Sequence, residues 1–187
     1  MTAAMDLDAD AAIAADPDAP ARARVEALVR VVETVSLRKL PVPAALADAV
    51  DDLALVDAAV AMKRAGAVCA ALHQLGDRPE LATTRKRIVR RLVAAGATGL
   101  PLADLAIAIG DVAAGAALAA REYQAHIAPL VNRLPPHRLV GAYLAWLAEQ
   151  PDLAIASVVK KLDAPWDALL GHADPAHAAR LRSILAP

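Results

Sequence analysis

The residues best suited to chemistry in this chain form a short basic run near its middle. Five of the seven positions from 85 to 91 are positively charged: Arg85, Lys86, Arg87, Arg90 and Arg91. In a helix of 100° per residue, the last four share one side and apolar residues occupy the other. Guanidinium groups donate paired hydrogen bonds to phosphate or carboxylate oxygens. The run therefore predicts a nucleic-acid-binding site that contacts the phosphate backbone of RNA or DNA.

The same basic face has a second interpretation, in which its partners are protein carboxylates. Acidic groups such as Asp48, Asp51 and Asp52 could meet these charges from elsewhere in the fold, or a partner protein could supply them. Helix faces rich in charge are commonly solvated surfaces of this kind. The sequence favours neither interpretation strongly, and both stay open at this point.

The segments after the basic run resemble helix-turn-helix architecture over residues 83–132. A turn at 96–99 is followed by a short helix ending near Gly110 and by a longer helix from about Ala113 to Asn132. Ala106 and Gly110 have the spacing familiar from that motif. The resemblance implies DNA binding, but the second helix begins with alanine and glycine, which reach no base edge. The polar side chains farther along are Arg121, Gln124, His126 and Arg133.

Catalytic and metal-binding patterns are missing from the sequence. The serines at 36, 157 and 183 lie in ordinary helical sequence, and Cys69 is flanked by core residues. His172 and His177 are five residues apart, a spacing that does not place two ligands on one helix face. Asp104 and Asp111 stand in an apolar run, and first-turn positions of helices explain them. We predict no catalytic residue, metal or cofactor; an enzyme site assembled from distant residues is the remaining alternative.

Tyr143 and Trp146 are the second candidate site. The chain has only two Tyr and two Trp and no Phe, so an aromatic pair three residues apart stands out. Such a pair suits a protein interface, where aromatic anchors contribute much of the binding free energy. The alternative is that both rings pack into the core.

Composition predicts the elements that must position these residues. Roughly a quarter of the residues are alanine, the strongest helix former, and no run has the pattern of a strand. We predict an all-α protein, a compact bundle of about seven to nine helices. Residues 1–19 are predicted to be a flexible acidic Ala/Asp tail, and residues 20–187 a single helical domain. The expected helices start near 20, 44, 80, 101, 113, 137, 153, 165 and 174, the last with Asp174 as its N-cap. The element from 44 to 75 is either one long helix or broken near Asp51 and Asp52 or Gly66.

The sequence also predicts the cellular compartment, because it shows no pattern for a disulfide, a secretory signal or a membrane span. One cysteine forms no intrachain disulfide, which suits a reducing environment. The N-terminus is acidic, unlike the basic start of a secretory signal, and the most apolar stretch, 100–120, is interrupted by Pro and Asp. We therefore expect a cytoplasmic protein that does not cross a membrane, and the alanine content is typical of a GC-rich bacterial genome.

These expectations converge on a non-enzymatic subunit of a nucleoprotein assembly. In size, helicity, absence of catalytic patterns and single basic face, the chain resembles the small helical subunits of RNA-guided CRISPR effector complexes, and the likeness is one of class. It implies other protein subunits as partners and backbone contact with RNA or DNA. The alternatives are a protein-only adaptor, chaperone or immunity-type binding protein, and a helix-turn-helix regulator.

Overall fold

The regular secondary structure in the described part of this chain is entirely helical. A computed structural model describes residues 2–119, 121, 138–161 and 166–185, and no strand occurs among them. The predicted all-α class is confirmed. The chain divides into two compact units, Met1–Ala97 and Thr98–Pro187, which differs from the single domain predicted for 20–187.

Unit 1, as we call the first of these, contains six α-helices and one short 3-10 turn. Its core is built mainly from Leu, Val and Ala side chains, since the chain has no Phe. The helices are α1 Thr2–Ala15, α2 Ala21–Arg38, α3 Ala45–Asp51, α4 Leu53–Ala61, α5 Ala65–Leu75 and α6 Ala82–Ala94, with the 3-10 turn Pro79–Leu81 before α6.

Helix α1 replaces the flexible tail that the sequence predicts for residues 1–19. Leu7, Ala11 and Ala14 are buried at helical spacing, and α1 packs against α2 and α3. Arg30 of α2 donates to the Asp10 carboxylate, with its Nη2 atom 2.6 Å from Oδ1. The sequence pattern concealed this helix because two of the three core contacts are made by alanine, whose small side chain gives a weak apolar stripe.

The number of helices was underestimated. The described residues contain twelve helices rather than seven to nine. The segment from 44 to 75, predicted as one long element or as one broken near Asp51 and Asp52 or Gly66, is three helices. Asp52 makes the first break: its backbone is extended and its Oδ1 accepts the N–H of Ala54 at 2.8 Å, as an N-cap does. Lys63 makes the second break, with φ at +57°.

Two helix ends predicted from glycine are confirmed. After α6, Gly96 has φ of +74°, and Ala97 N–H reaches back to Leu92 O at 3.0 Å. This is the Schellman arrangement, in which the left-handed residue is nearly always glycine because a Cβ would be strained there. Gly110 ends the next helix in the same way, with φ of +88°.

An ion pair between a buried arginine and a partly exposed aspartate connects three helices of unit 1. The Arg24 side chain of α2 is 4% exposed, and its Nη2 atom lies 2.7 Å from Asp52 Oδ2. Its Nε donates to the carbonyl of Ala14 in α1 at 3.1 Å. Burial raises the pKa of Asp52, but the hydrogen bonds from Arg24 and the backbone amides outweigh it, so that pKa lies below its usual value. The pair therefore fixes the end of α1 and the start of α4 to α2.

The described residues of unit 2 form the other six helices. They are α7 Leu100–Ala108, α8 at residues 112–119, α9 Arg138–Ala148, α10 Asp152–Lys161, α11 Trp166–Leu170 and α12 Pro175–Leu185. Helices α7 and α8 approach closely at Gly115, where a Cβ would lie 2.8 Å from the carbonyl oxygen of Ala103. Asp174 caps α12 as predicted, accepting the N–H of Ala176 at 3.0 Å and of His177 at 3.1 Å.

The Arg24–Asp52 pair predicts an asymmetry between its two partners. Asp52→Ala leaves a charged Arg24 in the core, so we expect the free energy of unfolding to fall by about 3 kcal/mol or more. Arg24→Met leaves Asp52, which is 30% exposed and keeps its water contact, so a smaller loss of about 1.5 kcal/mol is expected. Urea denaturation of both variants measures the difference. Equal losses, or a larger loss for Arg24→Met, would contradict the asymmetry.

Candidate functional site

The basic run forms a helix, and the structure divides its five side chains into two groups. In α6, Ile88, Val89 and Leu92 face the core of unit 1, as the periodicity predicts. Arg85, Arg87 and Arg91 turn toward neighbouring helices, whereas Lys86 and Arg90 point into solvent. The predicted nucleic-acid site is therefore not one continuous free surface.

Arg85 is a capping side chain rather than a surface group. It is 8% exposed, and its guanidinium donates to the carbonyl of Gly76 and lies 3.5 Å from that of Leu72. These carbonyls stand at the C-terminal end of α5, where a positive charge also complements the helix dipole. The same guanidinium pairs with Asp77. Arg85 is thus removed from any phosphate-contacting surface.

Arg87 and Arg91 fasten α6 to α3 and α4, respectively. Arg87 pairs with the carboxylate of Asp51 and donates to its backbone carbonyl at 2.8 Å, and Thr84 Oγ1 lies 2.6 Å from the same carboxylate. Arg91 binds Asp57 with two hydrogen bonds, Nε to Oδ1 at 2.7 Å and Nη2 to Oδ2 at 2.8 Å. The hydrogen bond from Arg91 lowers the pKa of Asp57 and raises that of Arg91.

The interpretation that protein carboxylates meet the basic face is confirmed for Asp51. Asp57 and Asp77 complete the set, and no sequence pattern distinguishes them from the other aspartates. Asp52 pairs with Arg24 instead, and Asp48 is exposed. The acids that matter stand on or just after helices that the fold packs beside α6, and tertiary packing of this kind is not visible in linear spacing.

Lys86 and Arg90 keep the capacity to bind an external anion. Both side chains are exposed, and within the described ranges neither has a hydrogen-bond or ion-pair partner. They are four residues apart and so lie one above the other on the outer side of α6. What remains of the predicted site is therefore a pair of cations, flanked by arginines that are already neutralised.

The two residues of the second predicted site, Tyr143 and Trp146, differ in exposure. Tyr143 and Trp146 lie on α9 with ring centroids 6.1 Å apart and an interplanar angle of 26°. Tyr143 is only 2% exposed and belongs to the core of unit 2, as the alternative interpretation held, whereas Trp146 is partly exposed. Of the two, only Trp146 can contribute to a surface.

The helix-turn-helix resemblance gains little from the structure. The basic helix and the short helix exist, and the longer helix predicted for 113–132 is seen at 112–119, with most of its remainder outside the described residues. However, α6 belongs to unit 1 and α7 and α8 to unit 2. The described part of α8 offers alanine, glycine, valine and leucine. Arg121 is helical and exposed, and Gln124, His126 and Arg133 lie outside the described residues.

A groove on unit 1 is a candidate site that sequence reasoning missed. It has a volume of about 670 Å³ and lies between α2 and the turn after α4. It combines an apolar floor with a basic rim, and its lining residues are Arg22, Val25, Glu26, Val29, Arg30, Met62 and Arg64. The five residues from α2 have the spacing i, i+3, i+4, i+7 and i+8 of one helix face. The mixture of apolar and charged side chains on this face of α2 is visible in the sequence. The residues on the opposite side of the groove, Met62 and Arg64, cannot be inferred from it.

Two other reactive side chains, Cys69 and Asp111, lie in the core and at a helix start, respectively. Cys69 is buried, and desolvation raises its pKa to about 12, so the thiol stays protonated. Asp111 Oδ1 accepts the N–H of Ala114 at 3.4 Å, a capping role at the start of α8. In the described part of the chain, no group of three or more His, Cys, Asp or Glu residues converges to hold a metal ion.

Two further findings concern the chain as a whole. Of the helices in the described ranges, none has both the length and the apolar composition needed to cross a bilayer. Comparison with known proteins found no matching family model, curated protein or solved structure.

The division of the basic run predicts unequal effects on stability. Arg85→Ala removes a charged donor from the end of α5 and should lower the free energy of unfolding by about 2 kcal/mol. Arg90→Ala, the matched control on the same helix, should change it by no more than about 0.5 kcal/mol. Urea denaturation compares them, and similar losses for the two variants would show that Arg85 does not cap α5.

The paired aspartates predict a loss of stability in acid. Asp52 and Asp57 have lowered pKa values in the folded chain, against a usual value of 3.8. The unfolded chain therefore takes up protons first, so their contribution is present above about pH 4 and is lost as the pH falls through the lowered values. Asp52→Asn preserves the cap but cannot titrate, and its urea midpoint should fall less between about pH 6 and about pH 3. An unchanged pH dependence would exclude Asp52 from this effect.

Proposed function

We propose that this chain is a non-enzymatic, cytoplasmic subunit that acts by binding other proteins, in the manner of an adaptor, chaperone or immunity-type protein. The observation that carries this proposal is the engagement of Arg85, Arg87 and Arg91 by Asp77, Asp51 and Asp57. Three of the five charges predicted to meet phosphates are already neutralised within unit 1.

Electrostatics explains why this pairing favours a protein partner. Binding to a nucleic-acid backbone draws its free energy from several cations that displace condensed counterions, and each contact adds to the salt dependence. Lys86 and Arg90 alone would supply two such contacts. A protein partner needs no such field, because protein interfaces combine an apolar centre with a polar rim. The groove beside α2 offers this combination.

The second candidate function is the nucleoprotein subunit predicted from the sequence. One observation favours it: Lys86 and Arg90 are exposed on adjacent turns of α6 and have no partner among the described residues. Together they could hold two phosphate groups while other subunits supply most of the nucleic-acid contact. This function would require the chain to act within an assembly rather than alone.

Purification from the host decides between the two candidates. The tagged protein is isolated at about 50 mM and about 200 mM salt and the eluate is examined for protein and nucleic acid. Lys86→Glu/Arg90→Glu is compared with Arg38→Glu/Arg78→Glu, which makes the same charge change at exposed positions outside α6. For the proposed function we expect the same companion protein in every preparation and no enrichment of nucleic acid.

A different outcome would support the nucleoprotein subunit instead. Nucleic acid that accompanies the wild type and the control, and is lost from Lys86→Glu/Arg90→Glu, would overturn the protein-only proposal and support the second candidate. Thermal melting of each variant checks that the fold is intact, and little change is expected because neither side chain has a partner among the described residues.

A further inference from the structure

We infer that the groove between α2 and the turn after α4 is a docking site for an acidic amphipathic helix of a partner protein. The inference rests on the proposed protein-binding function and names the class of partner and its binding surface. It depends on three properties of the groove, namely its apolar floor, its basic rim and its straight wall along α2.

The floor of the groove is apolar and partly accessible. Val25 is buried beneath it, Val29 is half-buried, and Met62 is 36% exposed at its far side. Methionine is flexible and polarisable, so it adapts to differently shaped apolar side chains. An occupant would therefore be required to present apolar groups toward α2.

The rim is basic, in a chain whose formal net charge is -1. Three arginines stand there against one glutamate. Arg64 is exposed and has no side-chain partner among the described residues. Arg22 pairs with Glu26 in an i, i+4 contact whose side chains are 83% and 48% exposed, and such contacts are weak enough to exchange for a partner carboxylate. Arg30 is held more firmly by Asp10.

Arg64 is held in place by the backbone at the end of α4. Its N–H donates to Ala59 O at 2.6 Å and the N–H of Lys63 donates to Val60 O at 2.9 Å, which is a Schellman motif with lysine at the left-handed position. Lys63 is also exposed. Of these two cations, Arg64 lines the groove together with Met62, on the side opposite α2.

The shape and chemistry of the groove together select the occupant. The lining residues of α2 extend from 22 to 30, about 12 Å of straight wall, which matches two turns of a helix. A helix with apolar residues at i, i+3, i+4 and i+7 could rest on the floor, as in other helix-in-groove complexes. Carboxylates beside that apolar face would meet Arg22 and Arg64. A nucleic-acid backbone would satisfy the arginines but leave the floor without an apolar partner.

A designed peptide tests the inference directly. The probe is a fluorescein-labelled helical peptide of about 14 residues with leucine at i, i+3, i+4 and i+7 and glutamate on both flanks of that face. Its matched partner has lysine in place of every glutamate. Fluorescence anisotropy with the full chain should show binding of the Glu peptide and at least about tenfold weaker binding of the Lys peptide.

Charge reversal in the groove makes the test specific. Arg22→Glu/Arg64→Glu should weaken the Glu peptide by about tenfold or more and strengthen the Lys peptide. Arg38→Glu/Arg78→Glu, with the same charge change elsewhere, should leave both affinities unchanged. Met62→Glu should weaken binding of the Glu peptide as well. No binding of the Glu peptide, or equal effects of the groove and control variants, would overturn the inference.

The same variants separate this inference from the proposed function. In the purification from the host, a companion protein that is lost with Met62→Glu and with Arg22→Glu/Arg64→Glu, and retained by the control, supports the groove. If the groove variants retain the companion protein, the docking site is wrong and the protein-binding function stands. If the wild type carries no companion protein, the proposed function itself fails.

Discussion

A guanidinium group buried among alanine, valine and leucine must find oxygen partners, and this requirement determines how the helices of unit 1 meet. Arg24 and Arg85 are the charged residues buried in the described part of the chain. Each reaches the end of another helix: Arg24 the last turn of α1 and the cap of α4, Arg85 the last carbonyls of α5. Unpaired charges in such surroundings are strongly destabilising, so these contacts restrict which helix packings the chain can adopt.

The junction between α3 and α4 is where this constraint is most concentrated. Asp51 and Asp52 are adjacent in sequence, yet they pair with arginines from two different helices, Arg87 of α6 and Arg24 of α2. The break in the helix is what allows this, because an extended residue at 52 turns the two carboxylates in different directions. The same residue caps α4. The break between α3 and α4 therefore caps α4 and also supplies the carboxylates that bind arginines of α2 and α6.

The sequence predicted well where the determinants are local. The apolar stripe of α2, the terminal glycines Gly96 and Gly110 and the Asp174 cap act within one or two helical turns, and all appear as expected. The acidic partners of α6 were predictable only in part, because they depend on which helices become neighbours. Helix α1 was missed since its core face is largely alanine, and the groove was missed because Met62 and Arg64 reach α2 only through the fold.

The two arginine-rich surfaces of unit 1 differ in what surrounds their charges. On α6, the arginines at the edges meet carboxylates that the fold places opposite them, and their attraction contributes to holding α6 against α3 and α4. At the groove, Arg30 is likewise joined to Asp10 of α1, but Arg64 has no side-chain partner among the described residues. Arg22 pairs with Glu26 of the same helix, so that contact holds no two elements together. Charges that join helices cannot be given up to a ligand without loss of stability. Charges that connect no two helices can bind a ligand without that loss. For this reason we expect unit 1 to bind ligands at the groove and at the outer side of α6.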